Sequence, residues 1–137
     1  MAFDAIVHGA NAILYWGTHY IDKPSPFWTD LKRVVGELAE LQDVLAAGTL
    51  DLHVALKPTL NSADRGVVAI AKRARGKTFV IAVNEFQEPL GCTLSGLPVS
   101  DGASLRDTQT GSMLTADGGE VSCFLGGYGV AVLEEQR

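Results

Sequence analysis

Between residues 67 and 133 the chain alternates: apolar side chains recur at every second position in short runs, and each run ends in glycine-rich turn chemistry. A period of two is the pattern of a strand that lays one face on a core, and it does not fit a helix. Val67 to Ala74 reads as one strand, Arg75-Gly76-Lys77 as a tight connection, and Phe79, Ile81 and Val83 then alternate with Thr78, Val80 and Ala82. Leu90, Cys92 and Leu94 follow, then Val121, Cys123 and Leu125, and finally Tyr128, Val130 and Val132 after a Gly126-Gly127 hairpin turn. Gly96-Leu97-Pro98, Asp101-Gly102, Gly111 and Gly118-Gly119 punctuate the runs. Frequent turns without intervening helices predict an antiparallel β-sandwich rather than βαβ units.

The first fifty residues read differently. Residues 2–10 look like a helix end, with Phe3, Ile6 and Val7 on one face and Gly9 as its stop. Ala12-Ile13-Leu14-Tyr15-Trp16 has strand composition, and Gly17-Thr18-His19-Tyr20 opens a loop. The clearest helix covers 26–47. Ser25 is its N-cap and Pro26 takes the favoured first position. Phe27, Leu31, Val34, Val35, Leu38, Leu41 and Leu45 form one apolar stripe, while Lys32, Arg33, Glu37, Glu40 and Asp43 stay wet. Gly48 stands where a left-handed C-cap belongs, and Gly36 marks a close approach to another backbone. Leu52, Val54 and Leu56 then predict a strand before Pro58, and 61–66 a turn. The fold class is α+β, mainly β: a strand and a long amphipathic helix in 1–50, then a sandwich in 51–137.

Charge narrows the partners. The 11 basic against 16 acidic residues give a net charge of −5, with no basic run. Clustered Lys and Arg are what phosphate backbones and anionic membranes require, so neither nucleic acid nor a membrane is expected. No apolar stretch has the length of a membrane span. The first ten residues lack the basic region and apolar core of a signal peptide, and begin as though inside a fold. His8, His19 and His53 share no ligand spacing, and Cys92 and Cys123 match no metal motif, so no metal or cofactor is expected. The two cysteines would pair if their strands are neighbours; buried free thiols are the favoured reading. Gly126-Gly127-Tyr128-Gly129 precedes a strand, which excludes a phosphate loop.

The order of elements resembles the C-terminal end of a (β/α)8-barrel glycoside hydrolase, whose last barrel strand and helix lead into an all-β domain. Residues 8–16 resemble the end of the seventh helix and the eighth strand, residues 28–45 the eighth helix, and residues 79–84 and 127–133 strands of the appended domain. The resemblance implies that Trp16 forms a floor under a bound sugar, with His19 and Tyr20 offering donors from the next loop. Away from a barrel, Trp16 reads instead as a core anchor. It also implies that both catalytic carboxylates precede Met1, which leaves this chain with no catalytic residue. Asn84-Glu85 imitates an acid/base motif but sits among predicted hairpins, with Glu88 too near in sequence to face it across a substrate. The implied partners are a carbohydrate and either a second copy or a missing barrel, docked through the helix at 26–47. A dimer would bury 12–16 and the stripe from Leu31 to Leu45. The alternative is a stand-alone carbohydrate-binding or interaction module. That needs exposed aromatics on the sandwich, where only Phe86, Phe124 and Tyr128 are available and the last two read as buried.

Overall fold

The computed structural model describes residues 1–50, the backbone of 55–59, and residues 66–136. The helices are α1 (Ala2–Val7), α2 (Pro26–Glu40) and α3 (Gln42–Ala46). The strands are β1 (Ala55–Thr59), β2 (Val67–Ala74), β3 (Lys77–Asn84), β4 (Leu90–Ser95), β5 (Ser104–Asp107), β6 (Met113–Thr115), β7 (Val121–Leu125) and β8 (Val130–Glu135). None of these helices is long and apolar enough to cross a membrane.

The strands form two antiparallel sheets: a five-stranded one in the order β2-β3-β8-β5-β6 and a three-stranded one in the order β1-β4-β7. β2 and β3 are a true hairpin, with Ala74 opposite Lys77. Its two-residue loop holds Arg75 and Gly76 at φ of 54° and 70°, the paired left-handed geometry that matches strand twist. Between the sheets lies a core of Val67, Ala71, Val80, Ala82, Cys92, Leu94, Leu105, Val121, Leu125, Ala131 and Leu133, among others. The predicted sandwich is therefore present.

The other face of the five-stranded sheet is covered as well. Phe79, Ile81, Val83 and Val132 form a second core with Phe3 and Val7 of α1, Leu41, and Val44 of α3. β3 thus buries every residue from Thr78 to Asn84. Alternation of small and large apolar residues in this strand records two cores rather than one wet face and one dry.

Local signals at the helices hold where the partner is near in sequence. The Oγ of Ser25 accepts from the Trp28 N–H at 3.2 Å. Gly9, at φ 92°, ends α1 with the Ala10 N–H donating to Ala5 O at 2.9 Å and the Gly9 N–H to Ile6 O at 2.9 Å, a Schellman motif. They fail where the partner is distant. Gly48 is not in the left-handed region, and a Cβ on Gly48 or Gly36 would meet nothing within 4 Å. Instead the buried Lys72 of β2 donates from Nζ to Leu45 O at 3.1 Å and Ala47 O at 2.7 Å, placing a cation on the free carbonyls of α3.

Three further expectations change. Residues 12–16 join no strand; strand composition needs a neighbouring edge to bond to, and among the described residues none pairs with them. The predicted strand before Pro58 runs through it instead, with Pro58 opposite Cys92; Leu52, Val54 and the turn at 61–65 lie outside the described residues. The glycine turn at 126–129 is no hairpin, because β7 pairs with β4 while β8 pairs with β3 and β5. It carries the chain from one sheet to the other, as does the β3–β4 connection that holds Glu85 and Glu88.

Candidate functional site

The three predicted sugar-facing residues come together at the surface. A single 3-10 turn, Thr18–Tyr20, follows Trp16 and folds His19 and Tyr20 back beside it. The His19 and Tyr20 rings are 3.8 Å apart between centroids, and Trp16 lies 6.5 Å from each. Trp16 is 83% exposed and Tyr20 77%, so this indole anchors no core. Aromatic faces left in water beside polar ring atoms match the two sides of a sugar, whose C–H face stacks while its hydroxyls take hydrogen bonds. Next to the group, Lys23 Nζ stands 4.2 Å over the Trp28 ring.

A second group forms around Asn84-Glu85. Asn84 is fully buried, and its side chain ties the two inter-sheet crossings together. Its Nδ2 donates to Glu88 O at 2.8 Å and Gly126 O at 2.9 Å, while its Oδ1 accepts from the Phe86 N–H at 2.9 Å. The Tyr128 N–H donates to Phe86 O at 2.7 Å. Gly127 lies so close to Gln87 that an added Cβ would sit 1.8 Å from its carbonyl oxygen, so no side chain fits there. The motif that imitates a catalytic pair is thus a corner clamp.

Glu85 faces outward and meets α1. Its Oε1 is 2.5 Å from His8 Nε2, and Asp4 Oδ1 is 4.0 Å from the same nitrogen. The hydrogen bond to Glu85, reinforced by both negative charges, raises the His8 pKa above 6.5. Asp4, His8 and Glu85 each offer one ligand atom, all within 4.8 Å of one another, a set that could hold a metal ion. Sequence spacing missed this grouping because Glu85 arrives from 77 positions away. His19 stays with the aromatic group, and His53 lies outside the described residues.

The sandwich itself carries exposed aromatics that alternation misplaced. On β7 the inward set is Val121, Cys123 and Leu125, which turns Phe124 outward, and it is 70% exposed. Tyr128 occupies the inter-sheet turn at φ 53° and is 68% exposed. Phe86 is half exposed over Gly66.

Solved structures share this fold. An alpha-amylase from Geobacillus thermoleovorans, solved with acarbose, matches with a TM-score of 0.63 at 21% identity, over 85% of this chain and 25% of that one. An Anoxybacillus alpha-amylase, described as giving insight into a new glycosyl hydrolase subclass, matches with a TM-score of 0.59 at 21% identity, over 84% of this chain and 24% of its own. AmyP, solved with maltose, matches with a TM-score of 0.59 at 17% identity, over 82% and 22% respectively. This fold is one that glycoside hydrolase chains carry as part of their length, and the chain spans about a quarter of each of these three. No protein-family model matches the chain, and no curated protein matches it.

Proposed function

We propose that this chain is the C-terminal accessory region of a glycoside-hydrolase-like protein, structural in role and without its own catalytic carboxylate pair. The observation that carries this reading is the asymmetry of the matches, 85% of this chain against 25% of the amylase. On this reading residues 1–50 are the last βα unit of a barrel; the expected helix at 26–47 breaks at Leu41, α3 lies on the sandwich, and α2 alone docks the rest of the barrel. The exposure of Leu14, Phe27 and Val35 at 89%, 60% and 47% supports an absent covering surface. A second copy would cover the same face when the chain is alone. Trp16, His19 and Tyr20 then line the sugar. Because an alpha-amylase and AmyP, which share this fold, were solved with acarbose and maltose, the proposed ligand class is an α-linked glucose oligomer.

Exposed Phe124 and Tyr128 support the alternative, a stand-alone carbohydrate-binding module with its site on the sandwich. One set of experiments separates the readings. The full chain is expected to hydrolyse neither maltotriose nor a chromogenic α-glucoside. Maltotriose is expected to quench its tryptophan emission saturably, and Trp16→Ala to remove that response. Turnover that disappears in Glu85→Gln would overturn the non-catalytic reading. Light scattering at tens of micromolar, chosen as an ordinary working concentration, is expected to show a dimer that Val35→Glu returns to a monomer.

A further inference from the structure

Cys92 and Cys123 face each other across β4 and β7 in direct register. Their Sγ atoms are 3.3 Å apart, each within hydrogen-bond reach of the other. On either side of them the register is held by different chemistry. Thr93 and Ser122 join hydroxyls at 3.0 Å on the outer face, and Gly91 lies opposite Phe124. Opposed residues of an antiparallel pair have Cα atoms about 4.5–5.5 Å apart, inside the range a disulfide spans. The backbone is therefore already placed. To form the bond, the sulfurs approach by roughly 1.3 Å through side-chain rotation alone.

Access is graded. Cys92 is 3% exposed in the core between the sheets, whereas Cys123 is half-buried on β7, the last strand of its sheet. An oxidant reaches Cys123 first.

We infer that Cys92 and Cys123 are a cross-strand disulfide site, closed by exchange with a low-molecular-weight disulfide that enters at Cys123. The thiolate of Cys123 attacks one sulfur of the small disulfide and bonds to it, while the S–S bond breaks and the other sulfur leaves as a thiolate that takes a proton. Cys92 then attacks Cys123 Sγ and expels the second small thiol. Two protein thiols are oxidised to one disulfide, and one small disulfide is reduced to two thiols. The mutual hydrogen bond holds Cys92 below the ordinary thiol range, while that bond and burial push Cys123 above it. Entry is consequently slow, but once Cys123 carries the small thiol Cys92 Sγ already stands beside it, 3.3 Å away in the reduced pair, so resolution is intramolecular and the mixed disulfide does not accumulate. The closed bond joins residues 31 positions apart and ties β7 to the centre of its sheet, constraining the unfolded chain. This site is independent of the carbohydrate reading.

The test uses the whole reduced chain incubated with oxidised glutathione, then unfolded, alkylated and weighed intact. Reduced protein is expected to take two labels. Oxidised protein is expected to take none, to be lighter by two hydrogens, and to run as a single chain without reductant. Its melting temperature is expected to rise by roughly 10 °C. Two labels persisting after oxidation, a stable glutathione adduct on the wild type, disulfide-linked dimers, or an unchanged melting temperature would each overturn the assignment. In Cys92→Ala the resolving thiol is gone, so glutathione is expected to remain on Cys123; no adduct there would overturn the route of entry.

Discussion

β3 and α2 are two apolar runs with opposite fates. β3 is sealed on both faces, with Phe79, Ile81 and Val83 in one core and Val80 and Ala82 in the other. α2 carries the cleaner amphipathic pattern in the sequence, yet not one of its side chains is buried. The first fifty residues hold to the sandwich through α1 and the short α3, whose Phe3, Val7 and Val44 reach the sheet. An apolar stripe states that a surface needs covering; it does not state that this chain supplies the cover. The sandwich is held by its own contacts, and the aromatic group of Trp16 lies on the region that is not.

Substitutions probe that contrast in decreasing size. Phe79→Ala empties a site between the sheet and both α1 and α3, and is expected to lower unfolding free energy by about 3–5 kcal/mol. Val35→Ser on the face of α2 that the single chain leaves open, measured in protein dilute enough to be monomeric, is expected to stay within about 0.5 kcal/mol. Urea denaturation followed by circular dichroism reads both, and equal losses would erase the distinction. Asn84→Ala strips the corner clamp and leaves the part-buried Phe86 N–H and the carbonyls of Glu88 and Gly126 to find other partners. The expected loss is about 1–3 kcal/mol for the groups left unsatisfied, seen in the same denaturation curves.

Gly36→Ala sharpens the comparison from the other side. Nothing surrounds this glycine, so alanine is expected to stabilise the helix by about 0.5–1 kcal/mol. A loss would mean that the backbone there is closely approached after all.

The smallest effect is at the His8–Glu85 contact, which is open to solvent. Because the folded pKa of His8 is raised above 6.5, its contribution is complete below pH 6.5 and is lost as pH climbs through the raised value. Titration of the His8 ring by NMR is expected to fall in Glu85→Gln toward the ordinary histidine value of about 6.5, the Asp4 charge remaining beside it. The Arg75–Asp43 pair runs the opposite way. Its guanidinium holds the Asp43 carboxyl below 3.8, so that contact is complete above pH 3.8 and lost as pH falls through the lowered value.

How far the sequence could be read depended on the range of the interaction. The sandwich, the Ser25 cap and the Gly9 stop were legible because period-two alternation and capping are local. The grouping of Trp16, His19 and Tyr20 was legible for the same reason, since four residues of chain and one turn bring them together. Strand partners were not legible: the Gly126-Gly127 turn reads as a hairpin until β7 is seen bonded to β4. Phe124 was misplaced against its own alternation, since Val121, Cys123 and Leu125 already hold the inner face of β7, and Tyr128 was misplaced because it falls in the inter-sheet turn rather than in β8. Lys72 on the end of α3, Glu85 beside His8, and the Cys92–Cys123 register all depend on contacts more than twenty residues apart.

On the proposed reading, sugar contact belongs to the N-terminal region and the sandwich serves as structural support. Site-resolved NMR titration of the full chain with maltotriose tests it most directly. The Trp16 indole and the His19 and Tyr20 rings are expected to shift together and saturate, while Phe86, Phe124 and Tyr128 stay still. Shifts confined to Phe124 and Tyr128, or no shift at Trp16, would contradict that reading.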